Sequence, residues 1–215
     1  NSTVALPEGS GPGDVLFNAS GRKLAVTLVE SSTIESFEVR PDGRLVASPN
    51  SPFKAQGLGP FGAEFRPTDP SQLFVSNAHD GAGLGTVSAF EVSLNGDLTS
   101  IAASPFANGQ TAPCWVEISH DGRFLFTTNT ASGTLSRYAI AADGELSLIG
   151  NTEFGIAGGG AVDLRLSPDG ATLFVNGSKA GVVATFAVSG GNLTQVASSP
   201  TSLPPGAFAA GIVVN

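Results

Sequence analysis

Four copies of one turn-and-strand pattern constrain this chain more than any single residue does. The clearest copy covers residues 111–148. An alternating strand after Pro113 leads to a tight Asp121-Gly122 turn and a second strand through Phe124; a Gly-containing loop and two further strands, 134–140 and 145–149, joined by Asp143-Gly144, complete it. Alternating apolar residues bounded by Asp-Gly pairs specify consecutive antiparallel hairpins. The first turn recurs at Ser20-Gly21, Asp69-Pro70-Ser71 and Asp169-Gly170, the second at Asp42-Gly43, Asn95-Gly96 and Gly190-Gly191-Asn192. The second-turn glycines Gly43, Gly96, Gly144 and Gly191 stand 53, 48 and 47 residues apart. Four short strands in a period of that length predict an all-β chain of β-propeller blades. Lys23-Leu24-Ala25-Val26, Gln72-Leu73-Phe74-Val75, Phe124-Leu125-Phe126-Thr127 and Thr172-Leu173-Phe174-Val175 share one place in the repeat.

The pattern predicts a single array over 1–215, with blades at 11–56, 57–109, 110–157 and 158–204. Residues 1–10 read as the end of a preceding blade, because Val4-Ala5 stands where Val46-Ala47 and Val196-Ala197 stand later. Residues 205–215 match only a first strand and read as a closing strand. A ring closes best when one blade is shared between the chain ends, which pairs edges that would otherwise stay open. The expectation is therefore the C-terminal part of a cleaved or split ring. Its missing N-terminal part would be a separate chain, or its open edges would self-associate; for seven blades the absent part is about 125 residues. The chain starts at Asn1 and contains no methionine, so it does not read as a primary translation product.

A formal charge of −8 with only ten scattered Lys and Arg argues against nucleic acid and anionic membranes as partners. No apolar run is long enough for a membrane-spanning helix. The one cysteine, Cys114, excludes an internal disulfide and a cysteine-based zinc site, and reads as a core residue. Asn-X-Ser/Thr occurs at Asn1, Asn18, Asn176 and Asn192, which favours a secreted, extracellular protein, although chance supplies some of these matches.

The run from Ala112 through Cys114-Trp115-Val116-Glu117 and His120-Asp121-Gly122-Arg123 to Tyr138, together with Leu166-Ser-Pro-Asp-Gly-Ala-Thr-Leu-Phe-Val-Asn176, resembles the lactonase-type seven-bladed β-propeller family. That family includes 6-phosphogluconolactonases and fungal carboxymuconate-lactonizing enzymes. The resemblance covers all four repeats and the final strand. It implies seven blades, a missing N-terminal part, metal-independent chemistry on a small lactone or sugar-derived ligand, and catalysis by His, Arg and Glu. Some of those catalytic residues would lie in the absent blades.

In a propeller, the first strands line the axial channel. Aligned, they place Leu16, Glu64, Glu117, Arg165 and Ile212 at one position, with Asp14, Gly62, Trp115, Asp163 and Ala210 two residues earlier on the same side. The opposite face, Val15, Phe17, Phe61, Phe65, Val116, Ile118, Leu164 and Leu166, reads as blade-to-blade core. Charges that interrupt apolar strands at matched positions are costly unless partnered. One reading is a site at the channel mouth: Glu64 or His79 as general base, Arg165 holding a substrate carboxylate or the developing oxyanion, and Trp115, Glu117, Asp163 and Asp14 binding substrate. The other is a structural ion-pair ring in which Arg165 compensates Glu117 and Asp163.

His79 and Asp80 sit in the longest second-to-third strand loop, at the same end as the cluster; a solvated loop histidine is the alternative there. Trp115 reads as a stacking platform or as core. Lys179, in the equivalent loop of the last repeat, and His120, at the opposite end, read as solvent-facing. No cofactor fingerprint, nucleophile elbow or transition-metal spacing occurs, so no cofactor and no metal are expected; calcium at Asp14, Glu64 or Asp163 has no motif behind it. The function expected is opening or closing of a small lactone. The alternative is a non-catalytic secreted propeller that binds a carbohydrate or a protein.

Overall fold

The computed structural model describes residues 3–156, 158–207 and 209–214. It contains four antiparallel sheets in succession. The first comprises β1 (Pro12–Phe17), β2 (Lys23–Leu28) and β3 (Thr33–Val39), with β4 (Leu45–Ala47) and β5 (Phe53–Lys54) both on β3. The second comprises β6 (Pro60–Arg66), β7 (Asp69–Asn77) and β8 (Thr86–Val92), with β9 (Leu98–Ser100) and β10 (Phe106–Ala107) on β8. The third is β11 (Pro113–Ile118), β12 (Phe124–Asn129), β13 (Thr134–Ile140) and β14 (Leu146–Glu153). The fourth comprises β15 (Ala161–Leu166), β16 (Thr172–Gly177) and β17 (Val182–Ser189), with β18 (Asn192–Gln195) and β19 (Thr201–Ser202) on β17.

Local chemistry explains these elements. The glycines that mark the repeat, Gly43, Gly96, Gly144 and Gly191, all have positive φ, a conformation a side chain resists. The aspartates before them and in the first turns accept N–H groups two residues on, as Asp42 does from Arg44 and Asp121 from Arg123. The outermost strand is split in three sheets, where Pro52, Pro105 and Pro200 cannot donate to the ladder; β14, without a proline, runs unbroken.

The core lies between neighbouring sheets. Phe65, Leu73 and Phe90 fill the first junction, Phe74, Val116 and Tyr138 the second, and Phe126, Leu164 and Phe186 the third. Each fully buried side chain of this size contributes about 1.5–3 kcal/mol relative to exposure. The apolar side of the first strands is this core in β6, β11 and β15, where Phe65 is 6% exposed, Val116 1% and Leu164 0%. In β1 it is not: Val15 is 62% and Phe17 59% exposed, and among the described residues no sheet packs on that side of the first one. That corrects the expectation of uniform blade-to-blade burial.

Residues 3–7 and 209–214 form no strand, so the ending and closing strands expected there have no ladder partner among the described residues. Asn1 lies outside the described residues. Asn18 is buried, with Oδ1 accepting the N–H groups of Arg22 and Lys23, and Asn176 is buried too. Asn192 alone among the described Asn-X-Ser/Thr sites is exposed. No helix is long and apolar enough to cross a membrane among the described residues.

Candidate functional site

The first strands contact one another in series, β1 with β6, β6 with β11 and β11 with β15, and so form the inner edge of the four sheets. Each carries an irregularity in register near its start: Pro12/Val15, Pro60/Ala63, Pro113/Val116 and Ala161/Asp163. Bulges re-aim side chains. Here they set the level at which Asp14, Trp115 and Asp163 stand, with Leu16, Glu64, Glu117 and Arg165 two residues further along.

Polar side chains on these strands stitch each sheet to the next, and the fourth to the segment at Ile212. Asp14 Oδ2 accepts the Ala63 N–H at 3.0 Å, Glu117 Oε1 the Leu166 N–H at 2.9 Å and Asp163 Oδ2 the Ile212 N–H at 2.7 Å. Glu64 accepts the Ile118 N–H in the same way. Hydroxyls at the ends of the second strands donate to the next sheet's carbonyls: Thr27 to Phe61 at 2.6 Å, Ser76 to Cys114, and Thr128 to Val162 at 3.3 Å. Asn176 holds the corresponding place in the fourth sheet, and its side-chain amide has no partner.

Four carboxylates and one guanidinium thus meet on this edge. Arg165 Nη1 donates to Glu117 Oε2 at 2.7 Å; Glu117 is 5% exposed and Arg165 is half-buried. Burial holds the Glu64 carboxyl well above the ordinary glutamate range; the charges of Glu117 and Asp14 add to that, against Arg165 and the Ile118 N–H. Glu64 Oε2 is buried without a hydrogen-bond partner. Burial likewise raises Glu117, against the Leu166 N–H and Arg165, and raises Asp14 and Asp163, against the N–H groups they accept and Arg165. For Arg165, burial works against the charge, but Glu117, Glu64 and Asp163 outweigh it and keep the guanidinium protonated. One carboxylate with a free buried oxygen beside a guanidinium is an arrangement that can take a proton and stabilise an anion.

Trp115 is half-buried, and its ring meets the edge of Phe61 at 5.4 Å between centroids with an interplanar angle of 73°. Gly62 makes this approach possible: a Cβ there would stand 2.6 Å from the Trp115 Cα. The His79 loop spans residues 78–85, against four residues in each other second-to-third strand connection. His79 itself is exposed and packs over Gly59, and among the described residues no hydrogen bond or ion pair joins it to the carboxylates. Lys179 is exposed, its stem against Gly160, and His120 is exposed at the opposite end beside Gly170. Burial pushes the Cys114 thiol up to about 11, so it stays protonated and unreactive near neutral pH. Among the described residues no group of three or more His, Cys, Asp and Glu could hold a metal ion.

Two residues had no signal as site neighbours in the sequence. Phe61 was placed with the core yet borders Trp115. Arg66 is buried and donates to the carbonyls of Gly122 and Ala141 and to Gln72 Oε1, tying the second sheet to the third. A 370 Å³ apolar pocket lined by Val4, Leu6, Val15 and Phe37 lies on the uncovered side of the first sheet. Only Asp14 links it to the carboxylates, so it is an exposed junction surface rather than a reaction site.

The profile of the seven-bladed lactonase β-propeller family matches residues 66–153. That stretch of the chain is similar to the lactonase propellers. Among solved structures it is similar to a 6-phosphogluconolactonase candidate from Bacteroides fragilis, at 21% identity and a TM-score of 0.79, covering 94% of this chain and 61% of that one. A similar candidate from Bacteroides uniformis matches at 19% identity and a TM-score of 0.76, over 89% and 55%. The periplasmic gluconolactonase of Pseudomonas aeruginosa matches at 23% and 0.76, over 97% and 61%. At these identities the likeness establishes the fold, and the chain spans between 55% and 61% of the length of these structures. No curated protein matches it.

Proposed function

We propose that the inner edge of these sheets forms part of an axial channel in which a small lactone is opened by water or, in reverse, closed. The observation that carries this reading is Glu64: a buried carboxyl with one unpartnered oxygen, on the same edge as the guanidinium of Arg165. A carboxyl whose pKa burial has raised is a stronger base in its ionised form, which suits proton abstraction from water. Water attacks the lactone carbonyl carbon as Glu64 takes its proton. Arg165 stabilises the oxyanion of the tetrahedral intermediate. The ring C–O bond then breaks, and the proton held by Glu64 passes to the departing alkoxide. Trp115 and Phe61 supply an apolar wall for the ring. The profile match and the gluconolactonase and 6-phosphogluconolactonase neighbours support a lactonase-like activity of this kind.

A second reading has an observation of its own. Asp14 and Glu117 already hold adjacent strands and Asp163 the segment at Ile212, as a purely structural ring of carboxylates would, which favours a non-catalytic propeller that binds a carbohydrate or a protein. In either case secretion is the proposed localisation, with exposed Asn192 its remaining support. A panel of lactones assayed by proton release with the full-length protein separates the two. Turnover supports the enzyme. Silence across the panel, with a saturable thermal shift from a glycan, supports the binder.

A further inference from the structure

We infer that Asn192 is the acceptor of an N-linked oligosaccharide, and that Asn18 and Asn176, which stand in the same Asn-X-Ser/Thr motif, are not. The inference goes beyond the lactone-opening reading and does not depend on it. It rests on the secretion proposed above, because the sugar is attached during export. The motif by itself does not separate the three asparagines; the fold does.

Asn192 follows the Gly190-Gly191 turn, where φ values of 54° and 77° close the β17–β18 hairpin in two residues and pair Asn192 with Ser189. The same place after the turn glycine holds Arg44, Asp97 and Glu145 in the other repeats, all charged and none buried. An apolar residue comes next each time: Leu45, Leu98, Leu146 and Leu193. Alternation along β18 therefore buries Leu193, which is 8% exposed, and turns Asn192 and Thr194 together to solvent. Asn192 Oδ1 accepts from Arg137 Nη1 at 2.7 Å, which fixes the amide, and among the described residues no hydrogen bond engages its Nδ2. The space beside the turn is open, since a Cβ on Gly190 would meet nothing within 4 Å.

The other two asparagines are enclosed by the fold. Asn18 is 7% exposed; its Oδ1 accepts the Arg22 and Lys23 N–H groups and the Ser20 hydroxyl, and its Nδ2 donates to the Pro70 carbonyl of the second sheet at 3.4 Å. Asn176 is 1% exposed, with both amide atoms out of reach of solvent. Attachment forms a bond from Nδ2 to the anomeric carbon of the sugar, breaks that carbon's bond to the pyrophosphate of a lipid-linked oligosaccharide, and releases one proton from Nδ2. Asn192 keeps its Oδ1 bond to Arg137 through this step, whereas a sugar on Asn18 would stand where Nδ2 meets Pro70. β18 is three strands out from β15, about 14 Å from the inner edge, so the glycan leaves the carboxylates and Arg165 uncovered. It also shields an outer strand, whose unpaired N–H and C=O groups otherwise invite pairing with another chain.

The test secretes the full-length protein from a eukaryotic cell line behind a cleavable leader and confirms its fold by thermal unfolding. Peptide N-glycosidase in heavy-oxygen water then converts each glycosylated Asn to labelled Asp, which peptide mass mapping locates. The expected result is label on the majority of Asn192 peptides and none on those of Asn18 and Asn176. Asn192→Gln and Thr194→Ala should each abolish the Asn192 label and leave the unfolding temperature of the deglycosylated protein unchanged, while Thr194→Ser should keep the label. An unlabelled Asn192 in the exported, folded protein overturns the inference, as does label on Asn18 or Asn176. The leader supplies export, so these outcomes do not depend on the native localisation. Protein from its natural source that stays inside the cell without a glycan overturns the secretion proposal, and this inference with it.

Discussion

Replacing Glu64 with Gln removes one ionisation and little else, since the amide oxygen can still accept the Ile118 N–H. In the native state burial holds the Glu64 carboxyl well above its ordinary value, so the folded protein binds that proton more tightly than the unfolded chain does. The sign follows by linkage: this contribution to stability is fully present below about pH 4.5, the unfolded value, and is lost as pH rises through the folded pKa. In Glu64→Gln it is independent of pH. The difference in unfolding free energy between variant and wild type should therefore grow in the variant's favour by about 1.4 kcal/mol per pH unit above 4.5 and level off once the native carboxyl has ionised. The other raised carboxyls, Asp14, Glu117 and Asp163, act in both proteins and largely cancel. Urea unfolding followed by the fluorescence of Trp115, the only tryptophan, measures it from pH 4 to pH 9. At its plateau each kcal/mol corresponds to about 2–4 °C in Tm for a chain of this size. A difference that does not change with pH, or a variant less stable than wild type at pH 8, refutes the reasoning.

Phe17 and Phe65 hold the same place in the repeat, yet one is 59% and the other 6% exposed. In this 215-residue chain Phe65→Ala should cost about 3–5 kcal/mol and Phe17→Ala less than about 1 kcal/mol, by denaturant unfolding. Gly62→Ala should cost about 1–3 kcal/mol and shift the Trp115 emission, because its Cβ collides with the Trp115 backbone. Cys114 should react with iodoacetamide at pH 8 far more slowly in the native protein than in urea, since burial keeps the thiol protonated. The activity of wild type should rise with pH as Glu64 ionises, and that rise should be absent from any residual activity of Glu64→Gln.

The fold was legible because glycine and aspartate have few alternatives in tight turns: Asp121-Gly122 and Asp143-Gly144 set both the hairpins and the period. The inner-edge cluster was legible for a related reason. Glu64, Glu117 and Arg165 interrupt apolar strands at one aligned position, and alternation leaves them one direction to face. What stayed hidden depends on contacts between sheets. The open side of β1 reads like that of β6, and Val15 and Phe17 are exposed where no described sheet packs on it. Arg66 gave no sign of burial, because most of its partners are carbonyls from turns more than 50 residues away. The stitching role of Asp14, Glu117 and Asp163 was equally invisible: backbone N–H groups on the next segment of chain leave no mark in the sequence. His79 shows the reverse, since its long glycine-rich loop drew attention that no described interaction with the carboxylates supports.

The most direct measurement is the kcat/KM of full-length wild type and Arg165→Ala on a lactone that wild type opens, with thermal unfolding confirming that the variant folds. The account predicts a fall of about 10²–10³-fold, mostly in kcat, as expected when a group that stabilises the developing oxyanion is removed. An unchanged kcat/KM in a folded variant would contradict it and leave the Arg165–Glu117 pair as architecture alone.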